Sequence, residues 1–172
     1  MSKGIRVVLW SFGCEGKSTL LYEGFKGIKN AKIIPTIGFN EETINFKGLS
    51  ITFCDIGGSF KIKEFRNKFF CDCDALIYLI DSSTIIEHKS YSDFTLNFEE
   101  LKKCIKIIDD MPLLIAITKI DKRQLSTYDI INNYELDKLF NRKNKFGIIE
   151  CSSFTGQGIK EILFWLNDVV KK

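Results

Sequence analysis

The sequence predicts a doubly wound α/β fold, with one six-stranded, mostly parallel sheet, one antiparallel edge hairpin and helices on both faces. Three observations predict it. Apolar strand-like runs alternate with amphipathic helical patterns along the whole chain. Two runs, 75–80 and 113–117, are continuously apolar, which is typical of central parallel strands buried on both faces. Two further runs meet at Lys47-Gly48, which indicates the hairpin.

The predicted elements follow one another in the order β-α-β-β-α-β-α-β-α-β-α. The predicted strands are 5–11, 39–46, 49–55, 75–81, 113–118 and 146–151. The predicted helices are 94–108, 159–170 and two that begin at Ser18 and near Tyr128. We expect one domain spanning 1–172. Ligands of such a sheet bind outside the carboxyl ends of its strands, where Asp55, Asp81 and Thr118 stand.

Composition excludes several classes of protein. The net charge of +3 is too small to imply nucleic acid by itself, so no nucleic-acid partner is expected. No signal peptide, membrane-length apolar run or lipidation motif is visible, and we expect a cytoplasmic protein. We interpret all six cysteines as reduced thiols. Residues 71–73 form a Cys-Asp-Cys string that could be half of a metal site, but no second pair or histidine partner accompanies it.

The segment after the first strand, Ser11-Phe12-Gly13-Cys14-Glu15-Gly16-Lys17-Ser18-Thr19, has the pattern of a phosphate-binding loop. Backbone N–H groups of such a turn point at phosphates. Lys17 can reach the outer phosphates, and the Ser18 hydroxyl can ligate Mg²⁺. The alternative is an ordinary strand–turn–helix junction. The candidate phosphate-binding residues are Gly13, Cys14, Glu15, Gly16, Lys17, Ser18 and Thr19.

Two strings near the hairpin could complete a magnesium and γ-phosphate site. Thr36, in the string Pro35 to Asn40, could place its hydroxyl on Mg²⁺ and its N–H on the γ-phosphate; the alternative is a simple Pro/Gly turn. Asp55 ends the third strand and could hold Mg²⁺ through water, while Gly58 lets a backbone N–H approach the γ-phosphate. A helix N-cap or a loop is the alternative there.

Two later strings could read a guanine base. Asp121, in the string Thr118-Lys119-Ile120-Asp121, can accept hydrogen bonds from the guanine N1–H and 2-amino group, a donor pair that adenine lacks. The Lys119 stem can cover the base. Ser152 and Ser153 follow the last strand, where a backbone N–H of the string 151–153 can meet the 6-oxo group. The alternatives are a solvated helix start and a serine-capped helix entry.

With these five strings in one order, the chain resembles the Arf/Arl family of Ras-like small GTPases. Residues 35–40 match that family's switch I string, 55–58 match its switch II opening, and 155–159 resemble its last loop. The resemblance covers Gly4 to Val170. It implies a P-loop NTPase fold of the Ras-like small G-domain type, binding of GTP or GDP with Mg²⁺, and recruitment of effectors in vesicular or ciliary trafficking.

The chain departs from the family pattern at functional positions. Ser59 replaces the glutamine that orients the attacking water, and serine is too short for that pose, so slow intrinsic hydrolysis is expected. The resemblance then leaves Ser59, Lys17 and Thr36 as the catalytic set. Ser11 replaces the first loop glycine, which could lower nucleotide affinity or be tolerated. Thr118 replaces the usual asparagine of the base-binding string.

The resemblance also implies partners. Effectors, exchange factors and activating proteins would bind through switch I, switch II and the hairpin between them, and a monomer is expected. Cys54 replaces an effector-face tryptophan, so with Phe39 and Phe69 it is expected to form a smaller apolar patch. Segment 60–70 is either switch II or merely an amphipathic helix. Only three residues precede Gly4, so either the family's N-terminal helix has been removed or the chain lacks that coupling to membranes; peripheral association stays open.

Two other functions compete with a hydrolysing switch. Ser59 and Ser11 favour a pseudo-GTPase scaffold held in one nucleotide state. The intact site residues oppose it: Lys17, Ser18, Thr36 and Asp121. A small-molecule kinase of the P-loop class is a weaker alternative because its lid needs clustered arginines. The arginines of this chain are well spread, at 6, 66, 123 and 142.

Overall fold

The computed structural model describes residues 4–33, 38–57, 66–83, 91–108 and 111–170. The strands are β1 (Gly4–Trp10), β2 (Phe39–Phe46), β3 (Leu49–Ile56), β4 (Ala75–Asp81), β5 (Leu113–Thr118) and β6 (Phe146–Glu150). They form one sheet in the spatial order β2-β3-β1-β4-β5-β6. Only β2 and β3 pair antiparallel, and every other neighbouring pair is parallel.

Helices connect these strands. The first, α1, starts as an α-helical turn at Lys17–Thr19 and continues as a π-helical segment at Leu20–Phe25. The other α-helices are α2 (Arg66–Cys71), α3 (Tyr91–Ile107), α4 (Thr127–Asn133) and α5 (Ile159–Val170). Two 3₁₀ segments, Ile120–Lys122 and Leu136–Asn141, were not predicted. In the described part of the chain, no helix is both long and apolar enough to span a bilayer.

The predicted fold class is confirmed, with one-residue shifts at four strand ends, one of them the start of β1 at Gly4. β1 and β6 end one residue early, at Trp10 and Glu150, because the chain turns there. After β6, the N–H of Ser152 donates to the carbonyl of Gln157 at 2.9 Å and closes a loop. β3 runs one residue further than predicted because Ile56 pairs with Phe39 at the open end of the hairpin.

Two apolar layers sandwich the sheet. One layer packs α1 and α5 against one face through residues such as Leu20 and Leu166. The other packs α2, α3 and α4 against the opposite face. Two buried hydrogen bonds join the sheet to α3. The Tyr78 hydroxyl donates to Asn97 Oδ1 at 2.6 Å, and Trp10 Nε1 donates to Glu100 Oε1 at 3.0 Å.

Burial is deepest in the middle of the sheet. All six residues of β5 and the first six of β4 are buried, as their continuous apolar runs predict. The outer strand β2 instead alternates exposed and half-buried residues along its whole length. Because β1, β3, β4 and β5 are parallel, their carboxyl ends meet at one edge of the sheet, and the candidate site lies there.

Candidate functional site

The loop after β1 folds around the ammonium group of Lys17. Gly16 takes φ +96°, a left-handed conformation that favours glycine, and Lys17 begins the helix with only 7% of its surface exposed. Its Nζ donates to Ser11 Oγ at 2.7 Å and to the Gly13 carbonyl at 3.0 Å. Burial lowers the pKa of Lys17, and the carboxylates of Asp55 and Glu15 oppose that shift. The loop therefore holds a cation where outer phosphates would lie.

Ser11 contributes a polar contact that a glycine could not make. The residue is buried, and its hydroxyl donates to the Gly13 carbonyl at 2.8 Å while accepting from Lys17. The serine thus joins the wall of the loop to its lysine. The replacement of the first loop glycine by Ser11 did not by itself predict these hydrogen bonds.

Glu15 and Thr118 tie the loop to the neighbouring strands. Glu15 is buried, and its Oε2 accepts from the backbone N–H of Asp81 at 3.0 Å. The Thr118 hydroxyl donates to the Glu15 carbonyl at 2.9 Å. Threonine at this position therefore performs a loop-bracing contact, and the Glu15 side chain is turned towards β4.

Ser18 and Asp55 meet at the end of β3. The Ser18 hydroxyl donates to Asp55 Oδ2, and Asp55 is 1% exposed. A hydroxyl and a carboxylate are the hard oxygen ligands that Mg²⁺ prefers, with waters and phosphate oxygens completing its shell, so this pair fits the ion. Within the described ranges, no group of three or more His, Cys, Asp or Glu side chains is arranged to hold a metal, and the Cys-Asp-Cys string has no such partner set there.

A cavity of about 310 Å³ opens beside the loop. Lys119, at its wall, adopts φ +57°, and its Nζ donates to Asp81 Oδ2 at 2.7 Å. Burial raises the pKa of Asp81, but hydrogen bonds from Lys119 and Ser83 outweigh it and hold that pKa below its usual value. The cavity is lined by Glu15, Gly16, Thr19, Glu23, Thr118, Lys119, Asp121, Lys122, Ser153 and Phe154.

The carboxylate of Asp121 is oriented by a buried serine. Ser152 Oγ donates to Asp121 Oδ1 at 2.5 Å, and Asp121 lines the cavity. The backbone N–H of Ser152 donates to Gln157 O, and that of Cys151 donates to Ile117 O at 2.8 Å. These two N–H groups are therefore occupied by backbone carbonyls, and Ser153 is the residue of the string 151–153 that lines the cavity.

The comparisons with known proteins decide the family. The model of the ADP-ribosylation factor family matches residues 1–170. The chain belongs to this family. It is 33% identical over 168 residues to ADP-ribosylation factor J of Dictyostelium discoideum, covering 95% of this chain and 84% of the relative. It is 30% identical over 178 residues to ADP-ribosylation factor-like protein 1 of Saccharomyces cerevisiae, covering 99% and 90%.

A solved structure shows the same fold. The Arl6 BBS3 small GTPase from Trypanosoma brucei, solved with the bound nucleotide analogue GppNp, superposes with a TM-score of 0.79 over 96% of each chain at 22% identity. Together with the family match, this confirms the predicted Ras-like P-loop fold and the Arf/Arl assignment. ADP-ribosylation factors are GTPases that bind GTP and GDP, and this chain is a small GTPase switch of that family.

Three predicted site residues, Thr36, Gly58 and Ser59, lie outside the described residues and stay predictions. The structure adds others that were not proposed as site residues: Asp81, which anchors Lys119, and Phe154, at the cavity wall. Asp81 carried a signal, since it ends a continuously apolar strand beside the loop. Phe154 carried none, because a single aromatic residue in a loop has no pattern.

The surface around Phe39 and Phe69 of this ADP-ribosylation-factor homologue differs from the expected apolar patch. Phe39 is 56% exposed, and its ring centroid lies 5.7 Å from that of Phe69, so these two residues do form an apolar contact. Cys54 is 3% exposed, and its Sγ lies 3.5 Å from Arg6 Nη2 and from Glu41 Oε1. Cys54 therefore adds almost nothing to this exposed contact, because the side chains of Arg6 and Glu41 lie against its thiol.

Proposed function

We propose that this chain is a guanine-nucleotide switch with a long-lived GTP state. The observation that carries the proposal is the Asp121 carboxylate, oriented by Ser152 beside the cavity that Lys119 lines. An oriented carboxylate accepts the N1–H and 2-amino donors of guanine, whereas adenine offers no such pair. The cavity lies next to the loop that buries Lys17, so one nucleotide could occupy both.

The roles within the site follow from the donor groups. Lys17 and the N–H groups of the loop 13–16 would bind the phosphates. Ser18 and Asp55, joined by Thr36, would hold Mg²⁺, which when bound neutralises charge on the phosphate oxygens. Asp55 is buried at the end of β3, so its carboxylate is held in place before any ion arrives.

Slow hydrolysis is the distinctive part of the proposal. In hydrolysis a water oxygen attacks the γ-phosphorus and the bond to the β–γ bridging oxygen breaks, yielding GDP and phosphate. The family glutamine orients that water, and Ser59 is too short to do so in the same pose. Lys17 and Thr36 would still stabilise charge on the γ-phosphate, so the reaction proceeds, but slowly unless a partner supplies the missing group.

Partners would recognise the nucleotide state through the loops that touch the γ-phosphate. Ordering of switch I and switch II by that phosphate would expose a surface for effectors, next to the Phe39–Phe69 contact. Exchange factors and activating proteins would act on the same region. We place this switch in vesicular or ciliary trafficking, as a cytoplasmic monomer that can associate peripherally with membranes.

A pseudo-GTPase scaffold is the second candidate. The observation that favours it is the Lys17 ammonium, whose hydrogen bonds to Ser11 and Gly13 O hold it within the loop. If those bonds persist with nucleotide bound, Lys17 contributes less to the transition state. Such a protein would keep one nucleotide and turn over none.

The test begins with chromatographic identification of the nucleotide released from freshly purified protein. Single-turnover hydrolysis of GTP is then compared among the wild type, Ser59→Gln and the control Ser59→Ala. We expect GTP from the wild type and an acceleration on the order of tenfold to hundredfold in Ser59→Gln alone. Equal and measurable rates in all three proteins would contradict the explanation, whereas no detectable turnover in any of them would favour the scaffold.

Asp121→Ala tests base recognition. Without the carboxylate, the guanine donors lose their acceptor, and the affinity for GDP should fall about a hundredfold. Asp137→Ala is the matched control, since Asp137 is an exposed aspartate outside the cavity lining. An Asp121→Ala variant that binds GDP as tightly as the wild type would remove the basis of the proposed function.

A further inference from the structure

Phe154 is the most exposed of the large apolar side chains in the described part of the chain. It is 85% exposed, although it stands on a tightly closed turn. The N–H of Thr155 donates to Ser152 Oγ at 3.1 Å, and the N–H of Gly156 donates to the Ser152 carbonyl at 2.9 Å. The ring is therefore presented to solvent by an ordered backbone.

The other exposed phenylalanines are partly covered by a second ring. Phe39 lies against Phe69, Phe140 against Phe146 and Phe164 against Phe46, with centroids 5.2 to 5.7 Å apart. Among the residues that the structure describes, Phe154 has no such ring contact. Its own surroundings are instead the cavity wall shared with Lys119, Asp121 and Ser153.

The same serine fixes both Phe154 and Asp121. Ser152 Oγ donates to the Asp121 carboxylate and accepts from the turn that carries the ring. A ligand that reaches Asp121 therefore arrives beside Phe154. An aromatic ring next to an oriented carboxylate offers one group for the edge of a planar heterocycle and one for its face.

We propose that Phe154 is a base-contacting residue, whose ring packs on the purine of the bound nucleotide and slows nucleotide release. This inference rests on the proposed guanine-nucleotide function and deepens it. Stacking accepts any purine face, so Phe154 supplies residence time, whereas Asp121 supplies the choice of base. Lys119, fixed by Asp81, adds its stem to the same wall.

The experiment measures release of tritiated GDP from full-length protein by filter binding. The variants are Phe154→Ala, Phe154→Leu and Phe154→Trp, with Phe140→Ala as the control for an exposed phenylalanine away from the cavity. We expect release to be about tenfold faster in Phe154→Ala, intermediate in Phe154→Leu, and at the wild-type rate or slower in Phe154→Trp. Phe140→Ala should release GDP at the wild-type rate.

Two further readouts separate base contact from a structural role. The ratio of affinities for GDP and inosine diphosphate, which lacks the 2-amino group, should be the same in Phe154→Ala and the wild type. The melting temperature of the nucleotide-free protein should also be unchanged, because the ring is exposed. Wild-type release from Phe154→Ala, or a changed ratio, would overturn the inference; failure of the wild type to bind any guanine nucleotide would overturn the proposed function and this inference with it.

Discussion

Polar side chains are buried at the carboxyl-terminal edge of the sheet and exposed or half-buried along the outer strand β2. At the edge, Glu15, Asp55 and Thr118 are each at most 6% exposed, and each has a hydrogen-bond partner within the site. Along β2, polar contacts face water: the hydroxyls of Thr43 and Thr52 lie 2.9 Å apart at the surface. The polar groups of the edge are thus held by buried hydrogen bonds, whereas those of β2 are accessible to water.

The difference assigns different tolerances to the two regions. Removing one partner of a buried hydrogen bond costs about 1–3 kcal/mol, since the other partner is left without water. At the surface, water replaces the lost partner, and the cost falls towards zero. Substitutions at the carboxyl-terminal edge should therefore lower the free energy of unfolding, while those in the hairpin should change it little.

The largest expected effect is that of Gly158→Ala, in the loop after β6. Gly158 has φ +75°, and a Cβ there would lie 1.9 Å from the carbonyl oxygen of Glu150. The clash and the backbone strain together should lower the free energy of unfolding by about 3 kcal/mol or more. Because the same loop carries Ser152, GDP affinity should fall as well. Urea denaturation and GDP titration measure the two effects.

Gly27→Ala is the matched control for this substitution. Gly27 has a similar φ of +67°, but a Cβ there would meet nothing within 4 Å. Only the backbone penalty, about 1 kcal/mol, should remain. Equal decreases in the free energy of unfolding of the two variants would mean that the close contact at Gly158 contributes nothing. The carboxyl-terminal edge would then tolerate substitution as well as the surface does.

The sequence was most informative where a pattern reports burial. β4 and β5 begin and end at the predicted residues, because a continuous apolar run can be satisfied only between two covered faces. The position of Asp121 just after β5 follows from the same run. The family strings indicate the same edge of the sheet for the site, and the cavity beside the loop after β1 lies there.

Contacts between distant segments could not be predicted in this way. The Thr118 hydroxyl reaches the carbonyl of Glu15, 103 residues away, and no local pattern specifies that partner. Ser152 is buried whereas Ser153 lines the cavity, and no local pattern specifies the bond from Ser152 to Gln157 that closes this turn. Cys54 was expected to join Phe39 and Phe69 in a small apolar patch, but its thiol is buried.

A smaller effect is expected for Ser11→Ala, which removes the hydroxyl between Lys17 and Gly13. The buried ammonium of Lys17 would keep its bond to the Gly13 carbonyl but lose that to Ser11, at a cost of about 1 kcal/mol. The free energy of unfolding of the nucleotide-free protein, from urea denaturation, measures it. Ser50→Ala, at a half-buried position of β3, is the control and should cost less; the reverse order would contradict the comparison.

The smallest effect is expected on the hairpin, for Thr43→Val and Thr52→Val. Valine keeps the branched shape that suits a strand, and water can replace the hydroxyl partner at this surface. Each variant should change the free energy of unfolding by less than about 0.5 kcal/mol, with GDP release unchanged. A double-mutant cycle isolates the hydroxyl pair, whose coupling should stay below about 0.5 kcal/mol. A coupling above about 1 kcal/mol would show that this exposed hydroxyl pair contributes as much as a buried hydrogen bond at the carboxyl-terminal edge. A change in the conformation of β2 on binding a partner would then no longer cost little free energy.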